Sequence, residues 1–342
     1  MITMRRVVKV DGDLPLIGCI AFGIIDRGTN LLQIRVTTLC PYNCIYCSVD
    51  AGPHSRTRQT EYVITDVDYL VETLRQVIEY KGVKHVEAHL DGVGEVMTYD
   101  KIVELVQKLS EIPQIKVISM QTRGYRFTYH ILDELADAGL SRVNLSIDAL
   151  DSDLAKYMAG VDWYNVEEVI NYAEYIVRST KMDLLIAPVW VPGINDREIP
   201  RLIEWAKRIG AGKRWPPLGI QKFVVHKRGR KPRGVREMRW SEFYRWLRKW
   251  EKEFGIKLVL SPEDFQIFKT RSLPTRFRVG ERIWVKVVEW GWQKGELLGV
   301  CGDRLVTIVG VRSDEGEYLL GKVVRVEVIE NKHNIYLARL HL

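Results

Sequence analysis

The sequence predicts an α/β protein that carries a small all-β domain at its C-terminal end. Two observations support this fold class. Apolar residues alternate between strand and helix periodicity over residues 30–225, which indicates βαβ units around a parallel sheet. After residue 275 the pattern changes to short strands separated by glycine turns, which is typical of a small barrel. The 342 residues are long enough for one large and one small domain.

The central block contains six strand–helix units, fewer than the eight of a complete (β/α)8 barrel. The helix over 129–138 has a clear end signal, because Gly139 follows it as a C-cap. The predicted strands cover 31–36, 83–90, 115–120, 143–147, 182–190 and 219–225. The predicted helices cover 69–78, 102–109, 129–138, 166–177 and 199–209.

The C-terminal block differs in pattern from the central strand–helix block. Between these two blocks, an amphipathic helix is expected over 241–250, with Ser241 as its N-cap. Tail strands are predicted at 282–288, 305–310, 322–329 and 335–340, with a turn over 291–299. The chain therefore divides into an N-terminal extension (1–29), a partial barrel (30–235), a helical and basic linker (236–274) and a β-barrel (275–342).

The formal net charge of +7 is concentrated in one part of the chain. Residues 213–249 contain 13 Lys and Arg against two acids, so the remainder of the chain has a net charge of −4. Such a localised excess suggests a surface that faces a polyanion. No apolar run reaches the ~18 residues of a membrane span, and the first residues do not resemble a secretory signal, so a cytoplasmic protein is expected.

Three of the five cysteines lie on one short segment after the first predicted strand. Cys40, Cys44 and Cys47 have the spacing C-x3-C-x2-C. An odd cysteine count without a secretory signal argues against disulfides, and a closed zinc site needs a fourth ligand, for which His54 is the nearest spare candidate. Three thiolates this close are an iron–sulfur ligand set, and a [4Fe–4S] cluster on three cysteines leaves one iron open.

This triplet, with an aromatic residue before its third cysteine, resembles the signature of the radical S-adenosylmethionine (SAM) superfamily. The resemblance implies a partial (β/α)6 barrel of the TIM type, a [4Fe–4S] cluster on Cys40, Cys44 and Cys47, and SAM bound to the open iron. It also implies an electron donor that reduces the cluster, so that SAM releases a 5′-deoxyadenosyl radical. Tyr46 would then lie against the adenine of SAM.

Several strand ends resemble further elements of that superfamily. Two departures stand out: Val96 replaces the usual proline after the glycine-rich element, and Arg123 replaces the asparagine of a T-N-G turn. Each element alone is also an ordinary turn or cap, and Asp148 would equally suit the N-cap of a following helix. By this resemblance, the SAM-binding positions are Tyr46, Gly92, Gly94, Glu95, Thr122, Ser146, Asp148, Val191 and Pro192.

The tail contains, in order, V-G-E (279–281), K-G-E-L-L-G-V (294–300) and G-K-V-V-R-V-E-V (321–328). This order resembles a TRAM domain, an oligonucleotide-binding (OB) type of β-barrel found on enzymes that modify tRNA and rRNA. The alternative is a barrel with a purely packing role. The basic segment before it suits RNA phosphates, although a charge run is more often a solvated surface. Its candidate RNA-binding residues are Lys222, His226, Lys227, Arg228, Arg230, Lys231 and Arg233.

Together these features predict a radical SAM transferase that modifies a nucleoside in tRNA or rRNA, with methylation as one candidate reaction. Cys19 and Cys301 lie where RNA adenine methyl synthases place two extra catalytic cysteines, and buried structural thiols are the alternative. Methylthiotransferases are disfavoured, because only Cys19 precedes the triplet. The alternative function is a radical SAM enzyme acting on a protein, peptide or small molecule, with the barrel as a structural or partner-docking module.

Overall fold

The protein is described here by a computed structural model that covers residues 5–341. Two compact units form within this range. The first contains the described parts of Met1–Leu39, Ser55–Lys116 and Lys269–Leu342, and the second contains Cys40–His54 and Val117–Phe268. The division into four consecutive segments stays a prediction.

Fifteen strands and eight α-helices are assigned within the described residues. The strands are β1 (Arg6–Val10), β2 (Gly23–Asp26), β3 (Leu31–Arg35), β4 (Thr60–Ile64), β5 (Val86–Leu90), β6 (Ile115–Thr122), β7 (Arg142–Leu145), β8 (Asp183–Ile186), β9 (Val189–Trp190), β10 (Gln221–Lys222), β11 (Arg282–Trp290), β12 (Glu296–Cys301), β13 (Arg304–Val309), β14 (Val323–Glu330) and β15 (Leu337–Leu340). The helices are α1 (Val67–Lys81), α2 (Ile102–Ser110), α3 (Tyr129–Ala138), α4 (Ser152–Ala159), α5 (Val166–Ser179), α6 (Glu198–Ile209), α7 (Trp240–Phe254) and α8 (Ser313–Leu319).

The first unit contains one half of the α/β pattern. Strand β3 pairs with β2 in antiparallel and with β5 in parallel orientation, and β1 pairs in parallel with β4. Helix α1 begins at Asp66, whose carboxylate accepts a hydrogen bond from the Tyr69 amide, and ends at Gly82 in the left-handed region. Its apolar stripe is buried, as the helical spacing predicts.

The second unit contains the other half of the α/β pattern. Strands β6, β7 and β8 run parallel in that order. Helix α3 has the predicted bounds and ends at Gly139 with φ +106°. The predicted strand over 182–190 is interrupted, because Pro188 has no amide hydrogen to continue the ladder, and it forms β8 and the two-residue β9. Helix α4 was not predicted; Asp151 caps it by accepting from the Leu154 amide at 2.9 Å.

The alternative considered for Asp148, as a helix cap, is not found, and the predicted cap at Ser241 is wrong. Asp151, and not Asp148, is the N-cap of the helix that follows β7. Ser241 is not the N-cap of α7 either, because the helix begins one residue earlier, after Arg239, without a side-chain cap. Burial explains the position of α7, since its apolar side chains Phe243, Leu247 and Trp250 are buried.

The C-terminal strands form a closed five-stranded barrel, which confirms the predicted all-β domain. Its strand order is β11-β12-β13-β15-β14, with β13 and β15 parallel and the other pairs antiparallel. Helix α8 connects β13 to β14. This is the five-stranded topology of the OB fold. Strand β12 was missed, because Gly295 and Gly299 made its segment resemble a turn.

Other parts of the first unit cover two strands of this barrel. The carbonyl of Ile17 accepts from the Leu305 amide at 2.8 Å, and a Cβ on Gly18 would lie 2.1 Å from the Leu305 carbonyl oxygen. The Gln59 side chain donates to the carbonyls of Gly291 at 3.0 Å and Glu296 at 2.8 Å. The outer surface of β12 and β13 is therefore occupied by residues of the same chain.

No helix within residues 5–341 is long and apolar enough to cross a membrane.

A buried ion pair links three parts of the first unit and is expected to control its stability. The Lys81 ammonium lies 2.7 Å from Asp26, and Asp26 also accepts from the Leu273 amide. We predict that Lys81→Met costs about 3–5 kcal/mol, because it leaves a buried carboxylate without its cation. Urea unfolding measures this, with Lys108→Met at an exposed pair as control. Equal unfolding midpoints for the two variants would contradict the prediction.

Candidate functional site

The cysteine loop rests on the C-terminal end of α4 in the second unit. The amides of Asn43 and Ile45 donate to the carbonyls of Ala159 at 3.0 Å and Met158 at 3.1 Å. Gly160, the left-handed C-cap of α4, allows this approach: a Cβ at this position would lie 2.1 Å from the Asn43 carbonyl oxygen. The backbone of α4 therefore sets the position of the loop between its first two cysteines.

Arg230 binds the same loop from the basic segment. Its amide donates to the Cys47 carbonyl at 2.8 Å. Its guanidinium pairs with Asp50 at 2.8 Å and donates to the carbonyls of Cys44, at 3.2 Å, and Ala51. One arginine thus satisfies carbonyls on both sides of the third cysteine.

The three cysteines fit an iron–sulfur ligand set. All are free thiols on one eight-residue loop, and thiolates are the ligands that such clusters use. The Ala51 amide donates to the Cys47 sulfur at 3.2 Å, a contact typical of the surroundings of metal-bound thiolates. Burial raises the pKa of Cys44 to about 11, while the nearby cations Arg123 and Arg230 lower it. These cations favour the thiolate form that binds metal.

A buried polar cluster lies beside the loop. The Tyr46 hydroxyl donates to Asp148 at 2.5 Å, and Arg123 donates to the Tyr46 oxygen at 2.8 Å and pairs with Asp148. The other carboxylate oxygen of Asp148 accepts from the Val189 amide at 2.8 Å. Burial raises the pKa of Tyr46 well above its usual range, so this phenol stays protonated and donates. Arg123, noted in the sequence only as a departure from T-N-G, is therefore a central member of this cluster.

Asn195 joins two of the predicted SAM-binding elements. Its side chain donates to the carbonyl of Asp148 at 2.9 Å and accepts from the Val191 amide at 2.8 Å. The sequence placed Asn195 in the same turn but did not select it as a site residue. Asn195 is fully buried, and backbone groups satisfy its side-chain amide.

The remaining predicted SAM-binding residues of the second unit have local partners. Thr122 accepts from the Gly124 amide at 3.0 Å, and Ser146 accepts from the Gln121 side chain at 2.6 Å. Pro192 follows the buried Val191 and is half-buried. These contacts order the ends of β6 and β7 and the turn after β9.

The glycine-rich element Gly92–Glu95 lies in the first unit. A Cβ on Gly94 would lie 2.3 Å from the Leu39 carbonyl oxygen, and the Glu95 amide donates to that oxygen at 2.8 Å. Gly92 makes a looser approach, with a Cβ distance of 3.2 Å to the Thr37 carbonyl oxygen. Glycine is thus required here by the strand end that leads into Cys40. The Glu95 carboxylate is buried and accepts from the Met97 amide at 3.2 Å.

The predicted RNA-binding residues divide into two groups. Lys222 is 2% exposed at its side chain and pairs with Glu237 at 3.3 Å, and Arg230 holds the cysteine loop. Both side chains are therefore engaged within the protein. Arg228 is half-buried. The residues that stay exposed are His226, Lys227, Lys231 and Arg233.

Cys19 and Cys301 both lie in the first unit, but in different surroundings. Cys19 is buried, its sulfur accepts from the Ala21 amide at 3.4 Å, and burial raises its pKa to about 11. Cys301 ends β12 opposite Arg304 and is partly exposed, and burial raises its pKa as well. The raised pKa does not distinguish Cys19 from Cys44, whose pKa is raised to the same value, but the burial of Cys19 favours a structural thiol.

A cavity of about 270 Å³ in the second unit includes a residue of the cysteine loop in its wall. Tyr42 stacks on the half-exposed Trp163, with ring centroids 5.1 Å apart. The other aromatic residues of the wall are Tyr125, Phe127, Tyr164 and Tyr172, and Arg126 and Glu168 provide charge. Such a cavity suits a planar ligand that carries polar groups.

Comparison with known proteins identifies related families. The model of the Radical SAM superfamily matches residues 34–206, half of the chain. An uncharacterized protein of Methanocaldococcus jannaschii is 42% identical over 99% of this chain and 82% of its own length. A probable GTP 3′,8-cyclase of Pyrococcus abyssi is 31% identical over 54% of this chain, which spans about half (55%) of that relative.

Among solved structures, SuiB of Streptococcus suis bound to its precursor peptide has a TM-score of 0.53 at 16% identity. The match covers 68% of this chain and 48% of SuiB. At this identity the likeness shows the fold alone.

The contact between Gly160 and Asn43 is predicted to control iron binding. Gly160→Ala introduces a left-handed alanine, which costs about 1–2 kcal/mol, and also pushes the cysteine loop away from α4. Gly255→Ala is the matched control, since Gly255 caps α7 at φ +65° with open space around its Cβ position. We expect Gly160→Ala to lose most of its iron after reconstitution while Gly255→Ala retains it. Equal iron contents would contradict this role.

Thiol reactivity is predicted to follow the pKa of Cys19. At pH 8 its thiolate fraction is roughly a hundredfold below that of a cysteine with the ordinary value of 9.0, and the side chain is buried. Alkylation of the folded protein with iodoacetamide, followed by peptide mass spectrometry, should label Cys301 well before Cys19. Labelling of Cys19 should increase as the pH is raised toward 11. Rapid labelling of Cys19 at pH 8 would instead indicate an accessible, activated thiol.

Proposed function

Because this chain belongs to the radical SAM superfamily, whose members bind a [4Fe–4S] cluster and SAM, we propose that it modifies a nucleoside in tRNA or rRNA. One observation carries the proposal: the basic segment is bound directly to the cysteine loop through Arg230. Exposed cations therefore lie beside the place where the radical forms. A substrate that presents its phosphates there meets complementary charge.

Different residues of the chain would bind the cluster and SAM at this site. Cys40, Cys44 and Cys47 would hold the cluster, and the residues around Tyr46 and Asp148 would bind SAM. Once bound, the two cofactors supply one-electron cleavage of SAM and removal of a hydrogen atom from the substrate. The protein orients the cofactors and substrate and excludes water.

The ion pair of Arg123 with Asp148 would fix the Tyr46 ring next to the cluster ligand Cys44. Because this pair is buried, loss of either partner leaves an unpaired charge. Arg123 is thus a positioning residue in this proposal.

The C-terminal barrel supports RNA as the substrate class. Five-stranded barrels of OB topology bind oligonucleotides in many proteins. This barrel also packs on the same chain, so a packing role alone is the alternative. Methylation stays one candidate reaction.

A free nucleotide is the second candidate substrate. The aromatic cavity beside Tyr42 would stack a base, and one of the relatives is named a probable GTP 3′,8-cyclase. The chain spans only about half of that relative, so its substrate is a proposal for this chain.

Identifying the reaction product distinguishes RNA from a free nucleotide as the substrate. Modified nucleosides in RNA from cells with and without this gene should differ by one species in mass spectrometry. The purified, reduced enzyme should cleave SAM faster when that RNA is added. If GTP stimulates SAM cleavage and the nucleosides in RNA are unchanged, a free nucleotide is the substrate and the RNA proposal is wrong.

Neutralising the exposed cations of the basic segment is predicted to weaken RNA binding. The variant Lys227→Gln, Lys231→Gln, Arg233→Gln should lower the slope of log affinity against log salt concentration by about 2, because up to three phosphate contacts are lost. The matched control neutralises Lys181, Arg208 and Lys252, which are exposed elsewhere in the second unit. Filter binding with tRNA at several salt concentrations measures both. Equal slopes would remove the basic segment from the RNA site.

A further inference from the structure

The two strands that OB barrels commonly use for nucleic acids are covered in this protein. Those are the second and third strands of the barrel, here β12 and β13. Residues 296–299 and 304–308 are all buried, although the barrel core accounts for only one side of each strand. The other side meets Ile17 and Gly18, and the adjacent hairpin meets Gln59. An RNA strand cannot reach this surface without unfolding part of the first unit.

The opposite side of the barrel is open. Strand β11 alternates strictly over residues 282–287, so that Ile283, Val285 and Val287 point into the core while their neighbours point outward. Trp284 is 62% exposed, which is unusual for the largest apolar side chain. Its cross-strand partner on β14 is the exposed Arg325. We call the outward side of β11, β14 and β15 the Trp284 face.

The Trp284 face has an excess of cations. Arg282 and Lys286 flank Trp284 on β11, and Arg339 lies on β15. The acidic residues of these strands are Glu327, which lies 3.7 Å from Arg282 and opposite Arg339, and the exposed Glu330 at the end of β14. The outward residues of the face are Arg282, Trp284, Lys286, Val323, Arg325, Glu327, Glu330 and Arg339. Four cations against two acids leave a net positive charge around the exposed indole, which is complementary to the phosphates of a nucleic-acid strand.

We propose that the Trp284 face binds an unpaired stretch of the RNA substrate, with one base stacked on Trp284 and neighbouring phosphates held by Arg325 and Lys286. The proposal rests on RNA as the substrate class. Base stacking tolerates any base, because every base has a flat π-face, so the face would add affinity without sequence specificity. Arginine beside an indole suits this role, since its planar guanidinium contacts phosphate in a bidentate manner.

Binding of the full-length protein to a fluorescein-labelled single-stranded RNA oligonucleotide tests the Trp284 face. Trp284→Ala should raise the Kd about tenfold, and Trp284→Phe should restore most of the affinity because an aromatic ring remains. Arg325→Gln should lower the salt slope by about 0.7, the value for one phosphate contact on a single strand. The matched control is Tyr157→Ala, which removes an aromatic ring that is 55% exposed on α4 of the second unit.

The outcomes separate this face from the proposed function. If Trp284→Ala leaves the Kd unchanged while the triple variant of the basic segment raises it, the Trp284 face is excluded and RNA modification stands. If the unsubstituted protein binds no RNA at moderate salt, the proposed function itself fails. If Trp284→Ala instead converts a dimer into a monomer in analytical ultracentrifugation without affecting the Kd, the face is a self-association surface, and the proposal is overturned.

Discussion

The cysteine loop is held by its backbone, and the rest of the site depends on this. Its amides donate to the last carbonyls of α4, and its carbonyls accept from Arg230. Side chains of the loop add to these backbone bonds: Tyr42 is buried among aromatic rings, and Ile45 and Tyr46 pack against the buried Met158 and Phe223. Because the loop lies so close to α4, its position is sensitive to the addition of a single side-chain atom. A methyl group at Gly160 would collide with Asn43. Glycine at this helix end is therefore required for the loop to contact α4 as it does.

The sequence was sufficient to predict the cofactor class of the site. It was not sufficient to predict which contacts fix the individual site residues. The cysteine spacing and the glycine-rich element are local, so both could be recognised from the sequence. The SAM-binding role of Gly94 stays a prediction, and within the first unit its lack of a Cβ also accommodates the Leu39 carbonyl. The buried cluster of Arg123, Tyr46 and Asp148 joins three separate chain segments, which periodicity does not bring together. Its sequence signal was the departure at Arg123 from the expected asparagine.

The helices and strands show the same contrast between features set by local sequence and features set by tertiary packing. Helix α3 was predicted with its correct bounds because periodicity and Gly139 agree. Strand β12 was missed, since Gly299 within it resembles a turn. In the barrel, a Cβ on Gly299 would lie 3.1 Å from a Val285 methyl, so a side chain there would require Val285 to shift. A glycine required by packing and a glycine required by a turn look identical in one sequence.

The basic segment shows why a charge run has no single meaning. Lys222 and Arg230 come from the same run as Lys227 and Lys231, yet the first two are engaged within the protein and the last two are exposed. Burying a cation is costly unless a carboxylate and hydrogen-bond acceptors compensate, and Glu237 and Asp50 supply those carboxylates. Arg230 fixes the segment against the cysteine loop, while Lys222 binds Glu237. The attachment through Arg230 brings the exposed cations of the segment close to the loop. A run made only of exposed charges would lack such an anchor and would present its charge in many positions.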